Sequence, residues 1–138
     1  MTAIRLLIIE DSATVRAVIE QIVEQEPHAS VVGVAESAES ARVLLDTTKP
    51  NIITLDLHMP GIGGMAFLSE LHGMRRAPVV VVSSATTAGS TDAEEVVKRG
   101  AADWFDKHRI IAEAKQFRAL LRRTIDKREK ALLKGAYI

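Results

Sequence analysis

The strongest constraint on this chain is an alternation of two hydrophobic patterns along its 138 residues. Leu6-Leu7-Ile8-Ile9 and Val79-Val80-Val81-Val82 are unbroken apolar runs rich in β-branched side chains. A strand with one wet face alternates apolar and polar residues. An unbroken run instead suits a strand covered on both faces, as in a parallel sheet. Strands are therefore predicted over 4–9 and 79–82, with weaker candidates at 30–35, 51–55 and 102–105.

Between these runs the apolar spacing turns helical. Val15, Val18, Ile19, Ile22 and Val23 follow an i, i+3, i+4, i+7, i+8 pattern. Ala41, Leu44 and Leu45 form a shorter stripe ended by Pro50, and Phe67, Leu68 and Leu71 lead to a predicted stop at Gly73. Thr91-Asp92-Ala93-Glu94 reads as a capping box for a helix that stops at Gly100. Ile110, Ile111, Ala114, Phe117, Leu120 and Leu121 mark a last, longer helix whose core turns end near Ile125.

The order is strand then helix, five times over. Parallel strands joined through helices cross over right-handedly, so the expected fold is a five-stranded α/β sheet, doubly wound, with helices on both faces. No repeat, low-complexity stretch or linker divides it. The loops richest in turn residues, 59–64 and 84–90, follow predicted strands. They belong at the C-terminal edge of the sheet, where open α/β folds carry their sites.

Composition narrows the chemistry. The absence of cysteine excludes a disulfide framework, a thiolate nucleophile and any cysteine-ligated metal. Lys and Arg number 18, as do Asp and Glu, so bulk charge gives no pull toward nucleic acid or an acidic membrane. No apolar run approaches the ~18 residues of a membrane span. The N-terminal residues reach Glu10-Asp11 too soon for a secretory signal. The expectation is a cytoplasmic protein with no membrane span.

Four features converge on the C-terminal edge: Glu10-Asp11 after the first strand, Asp56 after the third, Ser83-Ser84 after the fourth and Lys107 after the fifth. Taken singly, each is an ordinary cap, turn residue or solvated charge. Together they crowd three carboxylates, which repel one another, and a hard divalent cation relieves the repulsion. Mg²⁺ suits such a cluster because it takes few protein carboxylates and keeps water or phosphate oxygens for the rest of its shell. The Ser83 hydroxyl and Lys107 ammonium would then receive oxygens of a phosphoryl group.

The segment Leu55-Asp56-Leu57-His58-Met59-Pro60-Gly61-Ile62-Gly63-Gly64 resembles the phosphoacceptor loop of response-regulator receiver domains. Ile9-Glu10-Asp11-Ser12, Val82-Ser83-Ser84 and Trp104-Phe105-Asp106-Lys107 fall where that family has its acid pair, its Ser/Thr and its Lys. The likeness covers about residues 4–125, and its Asp-Leu-His-Met-Pro-Gly string and Ser-Ser pair are most similar to the receiver half of chemotaxis methylesterases. The resemblance implies a flavodoxin-like, CheY-like sheet of strand order 2-1-3-4-5. It implies that Asp56 accepts a phosphoryl group from a sensor histidine kinase or a phosphotransfer protein. It places Mg²⁺ on Asp11, Asp56 and the backbone carbonyl of His58, with Glu10 acting through water. It makes Ser83 and Trp104 the switch, Ser83 moving toward the phosphate and Trp104 packing inward. The readout surface would be the fourth helix, fifth strand and fifth helix, read by a downstream protein partner. Such a chain is a signalling switch rather than an enzyme; a homodimer formed on phosphorylation is left open.

The sequence departs from that pattern in places. Glu10 stands where Asp is frequent, and Trp104 where Tyr or Phe is usual. His58 and Ala85 each sit two residues after a site residue and should border the path of the hydrolysing water. His108 replaces a proline whose preceding bond is typically cis. A cis bond before a non-proline residue costs about 3–4 kcal/mol, so the bond between Lys107 and His108 is predicted trans, with the nearby loop shifted. His28, His58, His72 and His108 lack metal-ligand spacing. Gly61, Gly63 and Gly64 superficially suggest a nucleotide loop, but no G-x-G-x-x-G follows the first strand.

Two other functions share these elements. An aspartyl-phosphate phosphatase of the haloacid dehalogenase type needs a second Asp two residues after its nucleophile, where this chain has His58. A flavodoxin-like FMN binder needs a Ser/Thr/Gly loop after strand 1, which is missing. Residues 1–125 read as the receiver and 126–138 as a basic extension of its last helix, with no room there for a DNA-binding domain. The chain thus reads as a stand-alone receiver or a fragment of a longer regulator. Its zero net charge conceals an asymmetry. Residues 115–134 carry eight basic side chains (Lys115, Arg118, Arg122, Arg123, Lys127, Arg128, Lys130, Lys134) against Asp126 and Glu129, a net +6, and the remainder carries −6. That stripe reads either as a solvated helix face or as a docking surface for an acidic partner or a membrane-proximal kinase.

Overall fold

The computed structural model describes residues 1–84 and 91–138, apart from the side chain of residue 91. Strands β1 (Ile4–Ile9), β2 (Ala29–Ala35), β3 (Ile52–Leu55), β4 (Val79–Ser83) and β5 (Asp103–Asp106) pair in parallel in the order β2-β1-β3-β4-β5. Helices α1 (Ala13–Glu24), α2 (Ala38–Thr48), α3 (Gly64–Met74), α4 (Thr91–Lys98) and α5 (Ala114–Leu132) alternate with them. The expected doubly wound α/β sheet of order 2-1-3-4-5 is the observed one.

The unbroken apolar runs split between two cores. Leu7, Ile9, Ile53, Leu55, Val79 and Val81 face Ala41, Leu45, Phe67, Leu68, Leu71 and Val96 of α2, α3 and α4. Ile4, Leu6, Ile8, Ile52, Val80 and Val82 face Ile19, Ile22, Val23, Phe117, Leu120, Leu121 and Ile125 of α1 and α5. Side chains alternate across a strand, so a run apolar at every position fills both layers. The Phe105 and Phe117 rings meet edge to face at 5.2 Å. Asn51 is the buried polar hinge before β3: its Oδ1 accepts from the Arg5 N–H at 2.8 Å and its Nδ2 donates to the Ala3 carbonyl at 2.7 Å.

Two predicted boundaries are corrected. Helix α3 does not stop at Gly73 but continues to Met74, and Arg75 ends it with a left-handed backbone, φ 56°. The Arg75 guanidinium donates to the carbonyls of Gly135 and Ala136, and the Ile138 N–H donates back to the Arg75 carbonyl at 2.9 Å. Tertiary contact therefore fixes this terminus where local propensity favours glycine. Helix α5 starts at Ala114, not at Ile110. Ile110 is buried from a turn that follows the 3₁₀ turn Lys107–Arg109, whereas Ile111 is 72% exposed. Gly100 ends α4 as expected, with φ 104°; a Cβ there would lie 2.3 Å from the His72 ring. The Ala85 expectation and the Thr91 side chain of the capping box lie outside the described residues.

Candidate functional site

The parallel ladder sets the site by running one residue past the strands. The Glu10 N–H donates to the Ala35 carbonyl at 2.9 Å, and the Asp56 N–H donates to the Ile9 carbonyl at 3.0 Å. Two carboxylates on neighbouring strands are thereby held side by side, each 2% exposed. The first turn of α1 fixes the acid pair from below. Ser12 caps that helix by accepting from the Val15 N–H, and its own N–H donates to Glu10 Oε2 at 3.1 Å. Arg16 Nη1 donates to the carbonyls of Glu10 and Asp11 at 2.9 and 3.2 Å.

The loop after Asp56 is closed by backbone approach. The His58 N–H donates to Asp56 Oδ1 at 3.0 Å, and the Gly64 N–H donates to the Leu57 carbonyl at 3.0 Å. A Cβ at Gly64 would stand 2.2 Å from Leu57 Cα, so only glycine lets α3 begin there. Gly61 and Gly63 take φ of 91° and 90°. This is why the glycines cluster: they shape the turn that presents Asp56.

Lys107 reaches in from the end of β5. Its Nζ lies 2.9 Å from Glu10 Oε1 and 3.0 Å from Asp56 Oδ2. It sits at the start of the 3₁₀ turn, which Asp106 caps by accepting from the His108 N–H at 3.0 Å. Proline at position 108 would remove that donor. No cis peptide occurs among the described residues, so the bond between Lys107 and His108 is trans as expected.

The electrostatics follow from burial. Desolvation pushes the Glu10 carboxyl up to about 7, and the nearby Asp56 charge adds to it. The Ser12 N–H and Lys107 pull the other way without cancelling the effect. Burial also works against the Lys107 ammonium, but its bonds to Glu10 and Asp56 outweigh this and hold it above the ordinary lysine range. Glu10, Asp11 and Asp56 offer carboxylate oxygens all within 4.8 Å of one another, Asp11 from an exposed position. An all-oxygen donor set this close fits a hard divalent cation such as Mg²⁺.

Of the remaining predicted residues, Ser83 ends β4 fully buried and pairs in register with Asp106. Leu55 is level with Val81, so Ser83 lies slightly beyond Asp56 on the adjacent strand. Trp104 is half-buried against the α2–α3–α4 core and borders an open groove of about 410 Å³ with Ala93, Glu94, Val97 and Lys98. The His58 side chain is exposed. The sequence reading gives no role to Arg16, and it names Ser12 and Gly64 without the cap and close backbone approach that they supply here. Ser12 carries the ordinary N-cap signal, being a serine immediately before a helical stripe. Arg16 carries none, because it acts on backbone carbonyls that any residue would supply.

A doubly wound five-stranded sheet with three carboxylates and a lysine over its C-terminal edge defines a CheY-like α/β module. The sequence profile of the response regulator receiver domain matches residues 6–129, and the chain belongs to that family, the receiver modules of two-component signal transduction. It is 40% identical over 111 residues to the protein-glutamate methylesterase/protein-glutamine glutaminase of Thiobacillus denitrificans, which covers 80% of this chain and 31% of that protein. The protein-glutamate methylesterase/protein-glutamine glutaminase 1 of Dechloromonas aromatica is 40% identical over 105 residues, covering 76% of this chain and 30% of that protein. The chain thus spans about a third of the length of these relatives. The response regulator domain of Thermotoga maritima CheB superposes with a TM-score of 0.84 at 28% identity, covering 91% of this chain and 98% of that one. Family membership sets aside the phosphatase and flavodoxin alternatives. Among the described residues no helix is long and apolar enough to cross a membrane.

Proposed function

We propose that Asp56 is the phosphoacceptor of this receiver, with Lys107 and Ser83 as its phosphoryl-binding partners and Glu10, Asp11 and Asp56 as the carboxylates of its Mg²⁺ site, completed by the His58 carbonyl. The observation that carries this reading is one ammonium held within 3.0 Å of two buried carboxylates at the ends of adjacent strands. Phosphoryl transfer needs positioning and charge neutralisation more than covalent assistance. An Asp56 oxygen attacks the phosphorus of a phosphohistidine on a sensor kinase or phosphotransfer protein. The new O–P bond forms as the P–N bond breaks, and the departing imidazole takes up a proton. Lys107 Nζ, already 3.0 Å from Asp56 Oδ2, exchanges that contact for a phosphoryl oxygen. Bound Mg²⁺ supplies neutralisation of the remaining oxygen charge. The acyl phosphate later loses its phosphoryl group to water.

In this reading the chain is a cytoplasmic signalling switch whose chemistry is limited to accepting and losing that group. The buried Ser83 and half-buried Trp104 report the phosphoryl group to the α4–β5–α5 surface, by favouring one of two arrangements. Residues 1–125 carry the switch, and 126–138 extend its last helix.

The test is incubation with acetyl phosphate and Mg²⁺. Phosphoryl incorporation, read by intact mass, is expected in the wild type and lost in Asp56→Asn, with a matching change in Trp104 fluorescence. Incorporation that survives Asp56→Asn, or is unchanged by EDTA, would overturn the assignment.

A further inference from the structure

The eight basic residues counted along α5 are not one surface. Arg118 Nη1 donates to the Gln25 carbonyl at 3.0 Å. Arg122 donates to the carbonyls of Thr2 and Pro27 at 2.6 and 2.7 Å, and its Nε lies 3.4 Å from Glu26 Oε2. Arg128 is largely covered and bonds Glu129 at 2.7 Å. These three guanidiniums are internal fasteners. Arg118 and Arg122 hold the turn between α1 and β2 against α5.

What they leave outside is more ordered than the full count. Of the other five, Lys115 is exposed near the start of α5, away from the rest, and Arg123, Lys127, Lys130 and Lys134 are exposed toward and just past its end. Arg123, Lys127 and Lys130, spaced by four and three, lie within about 60° of arc at 100° per residue over about 10 Å of helix, and Lys134 follows in the turn just after α5 ends at Leu132. Lys127, Lys130 and Lys134 make no ion pair among the described residues, and Arg123 has only Asp103 at 3.9 Å. Four like charges this close together in one file repel one another, and three of them offer the fold no ion pair. The file also runs past the family match, which ends at residue 129, by two of its four members.

We propose that this file is a docking site for an acidic protein segment, a helix or extended stretch presenting carboxylates along the last turns of α5 and the turn that follows. The surroundings select that partner. The stripe is one helix wide, with Asp126 and Asp103 at its margins. A narrow acidic segment meets only the cations, whereas a duplex, wider than one helix, also overlies those carboxylates. The only aromatic residue of α5, Phe117, is fully buried, which leaves no stacking platform for single strands. The apolar face of α5 (Phe117, Leu120, Leu121, Ile125) is spent in the core, and the exposed apolar side chains beside the file, Leu132, Leu133 and Ile138, lie only at its C-terminal end, without the repeating apolar face that enters a lipid surface. The site is independent of phosphoryl chemistry at Asp56.

The experiment uses the whole chain and a fluorescein-labelled, glutamate-rich helical peptide about 16 residues long, read by anisotropy. Lys127→Glu/Lys130→Glu is expected to weaken binding about tenfold or more. Lys49→Glu/Lys115→Glu, an equal change in net charge elsewhere, is expected to change it less than about threefold. Raising salt from about 50 to about 200 mM should weaken wild-type binding steeply. Equal losses in the two double variants would overturn the proposal, because attraction would then follow net charge alone. So would duplex DNA or phosphatidylglycerol vesicles binding as tightly as the peptide. Lys127→Gln/Lys130→Gln/Lys134→Gln repeats the test with neutral side chains, should charge reversal disturb the helix.

Discussion

The two edges of the sheet are built on opposite principles. At the C-terminal edge the backbone is relaxed and the side chains are in conflict: Glu10 and Asp56, each 2% exposed, share one lysine. At the N-terminal edge the side chains are at ease and the backbone is strained. Each of the four helix-to-strand turns there holds one left-handed residue: His28 (φ 57°), Lys49 (φ 48°), Arg75 (φ 56°) and Gly100 (φ 104°). Only one of the four is glycine. Guanidiniums gather at the same edge. Arg5 donates to the carbonyls of Thr48 and Lys49, Arg75 to those of Gly135 and Ala136, Arg118 to Gln25 and Arg122 to Pro27. Carbonyls at helix C-termini carry partial negative charge and are good sites for cations. One edge is thus fastened shut, and the other is left with an electrostatic cost that a cation can relieve.

The largest predicted break in this contrast is at Glu10. Its carboxyl titrates near 4.5 when unfolded and about 7 when folded. The folded state therefore holds the proton more tightly across that window, and stability falls as pH rises from about 4.5 to about 7. The loss is on the order of 3 kcal/mol in metal-free protein. Urea unfolding in EDTA at both ends of the window should show it, and Glu10→Gln should flatten the slope. Mg²⁺ should restore stability chiefly at the upper end, where the Glu10 carboxyl is ionised. A slope unchanged by Glu10→Gln would place the conflict on another group.

Next in size is the fastened edge. Arg122→Ala removes donors to two carbonyls and to Glu26, and is expected to cost about 2 kcal/mol. Arg123→Ala, one residue along and facing solvent, should stay within about 0.5 kcal/mol. Equal effects in chemical denaturation would mean that the inward and outward cations of α5 are not distinct.

That distinction also marks where the sequence stops being legible. The strands could be read because Leu6–Ile9 and Val79–Val82 answer to two cores at once, a condition that leaves its trace in every residue. Glu10, Asp11, Asp56 and Lys107 could be placed because each stands just after a predicted strand, the last two after the weaker candidates, and the parallel order brings those ends together. Arg118, Arg122 and Arg123 look alike in sequence. What separates them is the position of the Gln25 and Pro27 carbonyls, about 95 residues away along the chain, and carbonyls have no sequence signature. The same is true of Arg75. Gly73 satisfied the local rule for a helix stop, but the bonds from residues 135–138 moved the stop two residues on.

The smallest predicted effect tests whether backbone strain at the N-terminal edge is merely tolerated or is compensated. Lys49 caps α2 in the left-handed region with an exposed side chain, and the one bond it receives from Arg5 falls on its carbonyl, which glycine also has. Lys49→Gly should therefore relieve the strain without losing a contact, and should raise stability by about 0.5–1 kcal/mol. Arg75→Gly relieves the same strain but also removes the guanidinium from the carbonyls of Gly135 and Ala136. Its two effects are of similar size and opposite sign, so thermal unfolding should show little net change. In hydrogen exchange, however, the amide of Ile138, which donates to the Arg75 carbonyl, should lose protection only in Arg75→Gly. If Arg75→Gly proved as stabilising as Lys49→Gly, with Ile138 still protected, the guanidinium contacts would contribute nothing, and the fastening would lie in Arg5, Arg118 and Arg122 alone.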